Sequence, residues 1–194
     1  MMRIKMGLIC LALLTVALSA CADTLNFETG APCAFIATTP LASYGGLTFS
    51  GGGAILDQCG NFGINAHSGV DFLAFATGTY ATGPEFIDFP STVSSVSIFV
   101  GDGDSGSFTL QAFDGSENSL GQDVETNPGG QYVELQVSAD GIETVELSSN
   151  LGAWVADDLS FNGSENPTVP EPASMLLLGG GLAGLARILR GRKR

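Results

Sequence analysis

Residues 93–100 read Val93-Ser94-Ser95-Val96-Ser97-Ile98-Phe99-Val100, and from Ser95 onward every second side chain is a branched aliphatic: Val96, Ile98 and Val100. Successive residues of a strand point to opposite faces, so this spacing puts the three aliphatics on one side. The pattern returns at Phe108, Leu110 and Ala112, and again at Val133, Leu135 and Val137, mostly with polar residues between them. One buried and one solvated face is the mark of an antiparallel sheet.

Working outward, candidate strands are Thr24 to Phe27, Leu47 to Phe49, Val70 to Ala76, Phe86 to Phe89, Val93 to Val100, Ser107 to Phe113, Gln131 to Val137, Ile142 to Ser148 and Asp157 to Phe161. Turn chemistry separates several of them, at Gly101-Asp102-Gly103-Asp104, Asp114-Gly115-Ser116-Glu117-Asn118, Pro128-Gly129-Gly130 and Asp140-Gly141. No helical period is sustained between Leu25 and Asn162, and no internal repeat is visible. The expected fold is all-β, an antiparallel β-sandwich occupying residues 23–162.

The two ends differ from this centre. Residues 1–22 carry Arg3 and Lys5, an apolar run from Met6 to Val16 and then mostly small residues, the layout of a secretory signal peptide. Two cleavage readings stand side by side. Ala20-Cys21-Ala22 offers small residues for cleavage before Asp23, and Leu18-Ser19-Ala20-Cys21 offers a lipobox at Cys21.

At the other end a polar linker, 163–168, leads to Val169-Pro170-Glu171-Pro172 and then to an apolar segment over 173–189. Its 17 residues are near the lower limit for a helix spanning a hydrocarbon core of about 30 Å. Arg187, Arg190, Arg192, Lys193 and Arg194 follow or close it, so the positive-inside rule puts the C-terminus in the cytoplasm and the sandwich outside. The expectation is one transmembrane helix in an inner membrane, reached through the secretion machinery.

Charge divides the chain in the same places. All 7 Lys and Arg lie in the two end segments, whereas all 20 Asp and Glu lie between Asp23 and Ala186. No carboxylate of the central region has a Lys or Arg neighbour in its own domain. Each must be solvated, hydrogen-bonded, protonated or bound to a cation. Nucleic acid is excluded as an expected partner, because phosphate binding needs basic side chains on the folded surface. Of the 4 cysteines, Cys10 and Cys21 belong to the signal region, which leaves Cys33 and Cys59 as an even pair in an oxidising compartment. A disulfide between them is expected.

The end segment, with Val169-Pro170-Glu171-Pro172-Ala173-Ser174, then Leu176-Leu177-Leu178-Gly179, then the basic close, resembles the PEP-CTERM sorting domain over 169–194. The resemblance implies that a membrane cysteine protease, an exosortase, handles the chain near Pro170-Glu171-Pro172. More loosely, Leu25-Asn26-Phe27-Glu28, Tyr44-Gly45-Gly46-Leu47-Thr48-Phe49, Leu110-Gln111-Ala112-Phe113-Asp114 and Trp154-Val155-Ala156-Asp157-Asp158-Leu159-Ser160-Phe161 resemble jelly-roll domains akin to carbohydrate-binding modules. In such modules the first and last strands can share a structural Ca²⁺, which implies Glu28 with Asp157 or Asp158 as carboxylate ligands. The alternative is that the two aspartates fix a turn.

Other motifs carry less. Gly101-Asp102-Gly103-Asp104-Ser105-Gly106 begins like a Ca²⁺ loop, but Phe113 stands where an EF-hand needs its bidentate Glu, so a hairpin turn is expected there. His67, Ser68 and Asp71 are near in sequence without a Gly-x-Ser-x-Gly elbow. Trp154, Tyr44, Tyr80 and Tyr132 would stack on sugar rings if exposed, and Trp154 reads more readily as core. The expected protein is a non-enzymatic envelope or matrix protein associated with exopolysaccharide. A Ca²⁺-dependent carbohydrate-binding module at the cell surface is the alternative.

Overall fold

The computed structural model of the chain describes residues 22–31, 33, 39–60, 62–76 and 84–163. The signal segment up to Cys21, Tyr80, the linker beyond Gly163, the apolar segment 173–189 and the basic end lie outside the described residues. Among those described, no helix is long and apolar enough to cross a membrane.

The described residues form ten strands: β1 (Ala22–Leu25), β2 (Ser43–Tyr44), β3 (Leu47–Phe49), β4 (Ala54–Asp57), β5 (Asp71–Ala76), β6 (Glu85–Asp102), β7 (Gly106–Phe113), β8 (Ser119–Asn127), β9 (Gln131–Ser149) and β10 (Ala153–Gly163). They pair in the order β4-β5-β10-β6-β9-β7-β8, with β1 added to β10 and the small β2-β3 pair added to β6. Every pairing is antiparallel. The architecture is a jelly-roll-like antiparallel sandwich.

Two long strands make the sandwich from one continuous sheet. The first half of β6 pairs with β3 through Ile87 and Asp88, and its second half pairs with β10 from Val93 to Gly101. Between the halves the register against β9 shifts, around Pro90. Proline has no N–H to give the ladder, so the chain folds over there. The bend of β9 falls at Gly141, whose φ of 83° a side chain with Cβ resists. Phe86 to Phe89 and Val93 to Val100 are therefore one strand, and so are Gln131 to Val137 and Ile142 to Ser148.

The alternating residues behave as the period of two requires. Val96, Ile98, Val100, Phe108, Leu110, Ala112, Leu135 and Val137 all lie in the core, and Val133 packs against it. Trp154 is fully buried at its centre, stacked on Phe75 with ring centroids 3.9 Å apart and edge-on to Phe108 at 5.9 Å. Strand β5 has no polar face after Asp71, because Phe72 and Ala74 bury into a second cluster with Leu56, Phe62 and Val155 while Leu73 and Phe75 face the main core.

Several expected boundaries move. β1 runs two residues earlier than Thr24 to Phe27, Val70 precedes β5 rather than opening it, and β10 begins at Ala153. β2, β4 and β8 add to the expected set. The Gly101–Gly106 segment is not a hairpin, since β9 lies between β6 and β7; the turn carries the chain across it. Asp140-Gly141 bends a strand and joins none. Asp114–Asn118 does close a true hairpin between β7 and β8.

Cys33 and Cys59 form the expected disulfide, 26 residues apart in sequence. It closes a loop that holds β2, β3 and β4. Replacing both cysteines by serine is expected to lower the urea-unfolding free energy by about 3 kcal/mol with little change in the native fold. Equilibrium denaturation with and without the bridge measures this, and an unchanged midpoint would contradict it.

Candidate functional site

A clasp of carboxylates holds the segment 67–71 against both ends of the sandwich. Phe27, at φ 56°, is fully buried and stacks on Tyr44 with centroids 5.5 Å apart, which fixes where Glu28 points. Glu28 Oε1 accepts the amide N–H groups of Val70 and Asp71 at 2.8 and 2.9 Å. In return Asp71 Oδ2 accepts the amides of Thr29 and Ala31, both at 2.9 Å, and the Thr29 hydroxyl at 3.3 Å. Gly69 permits this closeness: it sits at φ 59°, and a Cβ there would run into the Glu28 carboxylate.

From the last strand, Asp157 Oδ2 accepts the Ser68 amide at 2.9 Å and Oδ1 accepts the Asp158 amide at 2.8 Å. Asp158 occupies a bulge at φ 49°, where the β10 register against β6 shifts. That kink sends neighbouring aspartates to different partners. Asp158 Oδ1 accepts the Ser68 hydroxyl at 2.6 Å, and Oδ2 lies 2.6 Å from His67 Nδ1.

Burial, then the charges of Glu28, Asp71 and Asp157 in that order, push the Tyr44 phenol up, so three carboxylates act on one hydroxyl. Asp71 is fully buried, and its Oδ1 is a buried oxygen without a hydrogen-bond partner. An unpaired carboxylate oxygen in such a place is costly. Carboxylate oxygens are hard donors of the kind Ca²⁺ takes, but those of Glu28, Asp71 and Asp157 do not all lie within 4.8 Å of one another, so the clasp is held by amides and is not a gathered ligand set. Of the three expected ligands the structure brings Glu28 and Asp157 to the clasp and turns Asp158 toward His67; Asp71 is the residue that sequence reasoning missed. Its signal was an acid opening the otherwise apolar run Asp71-Phe72-Leu73-Ala74-Phe75-Ala76.

Among the described residues, the one set of His, Cys, Asp or Glu ligand atoms lying within 4.8 Å of one another is Cys33, Asp57 and Cys59. Its sulfurs are joined to each other, and a disulfide offers no thiolate to a metal.

His67, Ser68 and Asp71 do not assemble as a nucleophilic triad. Ser68 donates to Asp158 rather than to His67, and Asp71 faces Thr29 and Ala31. His67 stacks on Phe99 at 3.9 Å and meets Tyr132 edge-on at 5.1 Å. With Gly63, Asn65, Gly130 and Gln131 it lines an open cleft of about 470 Å³. The expected sugar platforms fare poorly: Trp154 is core, Tyr44 stacks on Phe27, and Tyr132 has its hydroxyl buried.

A second cavity, about 420 Å³, lies on the open face of the sheet and was not foreseen. Its floor follows from register. Asp88 of β6 pairs with Thr144 of β9, which pairs with Phe113 of β7; one step along, Phe86 pairs with Glu146, which pairs with Gln111. The alternate residues Ile87, Val145, Leu147 and Ala112 are buried beneath. Ser50, Asp114 and Glu117 complete the lining. Asp114 is tied down by the Asn118 side chain and by the amides of Asn118 and Ser116, and these bonds hold its carboxyl below the ordinary value. The groove thus has half-buried aromatic rings, hydroxyls and carboxylates.

Residues 168–193 match the PEP-CTERM protein-sorting motif. The match covers all but the last residue of the expected sorting signal, Val169, Pro170, Glu171 and Pro172 included, and leaves the sandwich outside it. No curated protein matches the chain. Among solved structures the fold is similar to TmCBM61 in complex with β-1,4-galactotriose, at 14% identity over 72% of this chain and 99% of that one, TM-score 0.43. It is also similar to a β-1,3-glucan-binding family 6 carbohydrate-binding module from Bacillus halodurans, at 13% identity over 73% and 96% of the two chains, TM-score 0.36. A Clostridium thermocellum xylanase carrying a family 22 module is similar at 12% identity and TM-score 0.40, over 66% of this chain and only 28% of the xylanase.

The clasp has a pH signature. Burial pushes the Asp157 carboxyl up to about 6 against an ordinary 3.8, although the Ser68 and Asp158 amides pull it down. Between those values the native state binds more protons than the unfolded chain, so stability grows as pH falls through the window and is lost as pH rises through about 6. In chelator, the thermal midpoint is expected to climb from pH 7 to pH 5, and Asp157→Asn to flatten that slope. An equal slope in both proteins would exclude Asp157 as its source.

Proposed function

We propose that the chain is an exported, non-enzymatic envelope protein, sorted through its tail by an exosortase-type system, whose sandwich holds polysaccharide outside the cytoplasm. The observation that carries the sorting half is the order of three parts in the sequence: Val169-Pro170-Glu171-Pro172, then the apolar residues 173–189, which would halt export, then the basic residues Arg187, Arg190, Arg192, Lys193 and Arg194, which would keep the end on the cytoplasmic side.

Glycan binding rests on the sheet-face groove, where Phe86 and Phe113 supply apolar surface and Asp88, Glu117 and Glu146 supply hydrogen-bond acceptors for hydroxyls. Intact mass of protein recovered from its host tests the processing. A species beginning at Asp23 and lacking the tail is the expected product, and one retaining Arg194 would indicate stable anchoring in the inner membrane instead.

A Ca²⁺-dependent version of this reading is favoured by one observation, the orphaned Asp71 Oδ1. Asp71 would contribute to holding the ion, which would supply positive charge where the domain has no Lys or Arg, although Glu28, Asp71 and Asp157 are not gathered within 4.8 Å of one another. Calcium at a hundred times its dissociation constant is expected to add about 2.7 kcal/mol of stability. Asp71→Asn should remove that gain, and a thermal midpoint indifferent to calcium and to chelator would count against the ion.

A further inference from the structure

The sheet-face groove carries an inference about which polysaccharide it takes, and the inference rests on the glycan reading above. We propose that the groove selects sugars bearing free, protonated amines, a deacetylated aminosugar polymer in chemical class.

The argument begins with what the groove lacks. Between Asp23 and Ala186 the chain has no Lys or Arg, so a uronate, sulfate or phosphate group entering the groove would find no cation from its own domain. It would meet Asp88, Asp114, Glu117 and Glu146 instead. Like charges brought together at a partly desolvated surface are repulsive, and such juxtaposition discriminates against wrong ligands. Acidic polysaccharides are thereby rejected.

A neutral sugar would be accepted, but the carboxylates give a sugar ammonium more. Charge-assisted hydrogen bonds are roughly twice as strong as neutral ones. Their placement is fixed: Asp88 is held by the Thr144 hydroxyl at 2.7 Å, and Asp114 by the turn that forms the β7–β8 hairpin. Glu146 sits between Phe86 on one neighbouring strand and Gln111 on the other. Asp88 is therefore beside a hydroxyl and Glu146 beside a ring, so one saccharide unit can meet apolar surface and a charge together. Cation–π attraction to Phe86 and Phe113 adds in the same direction.

The test measures binding of glucosamine oligomers and of the same oligomers fully N-acetylated to the full chain purified in detergent, at pH 6 and 50 mM salt. The expected result is at least tenfold tighter binding of the free-amine form, lost in Glu117→Gln/Glu146→Gln and retained in Glu125→Gln/Glu134→Gln, which removes two exposed charges elsewhere. Rising salt should erode the preference, since about 0.1 M salt screens beyond roughly 10 Å.

If both oligomers bind equally and Phe86→Ala/Phe113→Ala abolishes both, the groove is a glycan site and the amine inference is overturned. A preference that falls equally in the two charge variants reports diffuse acidity and overturns it as well. If neither oligomer nor a neutral gluco-oligosaccharide binds, the glycan reading falls with it. Unchanged urea midpoints in the two glutamine variants establish that folding is not what was lost.

Discussion

A buried carboxylate with no basic side chain to meet it must find N–H groups, and this sandwich is organised by that need. Glu28, Asp71 and Asp157 take backbone amides around the 67–71 segment. Glu85 does the same with the amides of Gly51 and Gly53, and burial nonetheless pushes its carboxyl up. Asp102 caps the Gly103 amide and is likewise raised chiefly by burial. In each case a side chain does for a loop what a strand neighbour does for a strand. Amides that would lie unpaired where loops pass under the sandwich are satisfied, and loop geometry becomes as determined as sheet geometry.

That arrangement explains the glycines beside the acids. A Cβ at Gly51 would collide with Pro84 and Glu85, and one at Gly69 with Glu28, so acid and glycine form a unit in which the carboxylate approaches the backbone directly. A sequence shows such a pair only as two unremarkable residues, because the two members are far apart along the chain: Glu28 and Gly69, Gly51 and Glu85.

The fold class was legible because the period of two is local. Val96, Ile98 and Val100 declare their face without knowledge of any partner strand. What was not legible depends on distant neighbours. Pro90 and Gly141 read as ends of strands, yet each bends a strand that continues, since β9 and β6 pair with each other on both sides of their bends. Strand β8 escaped notice because its residues are largely exposed, Val124 among them at 49% exposure, and an edge strand need not alternate. For the clasp, Glu28 and Asp157 could be named in advance, whereas Asp71 showed in the sequence only as an acid opening an apolar run, and its unpaired oxygen emerges only in the fold. The groove residues Phe86, Asp88, Phe113 and Glu146 came from three strands whose register no single segment encodes.

The pairing of β1 with β10 sets Ala22 opposite Asn162 and Asp23 opposite Phe161. The first described residue and the strand that leads into the tail therefore lie at one corner. Scission after Ala22 would forfeit only the outermost rung of that ladder, and scission beyond Gly163 would leave the adjoining strand whole. Trimming at both ends would thus spare every described strand but for that one rung, and with them the sheet face that carries Phe86 and Phe113.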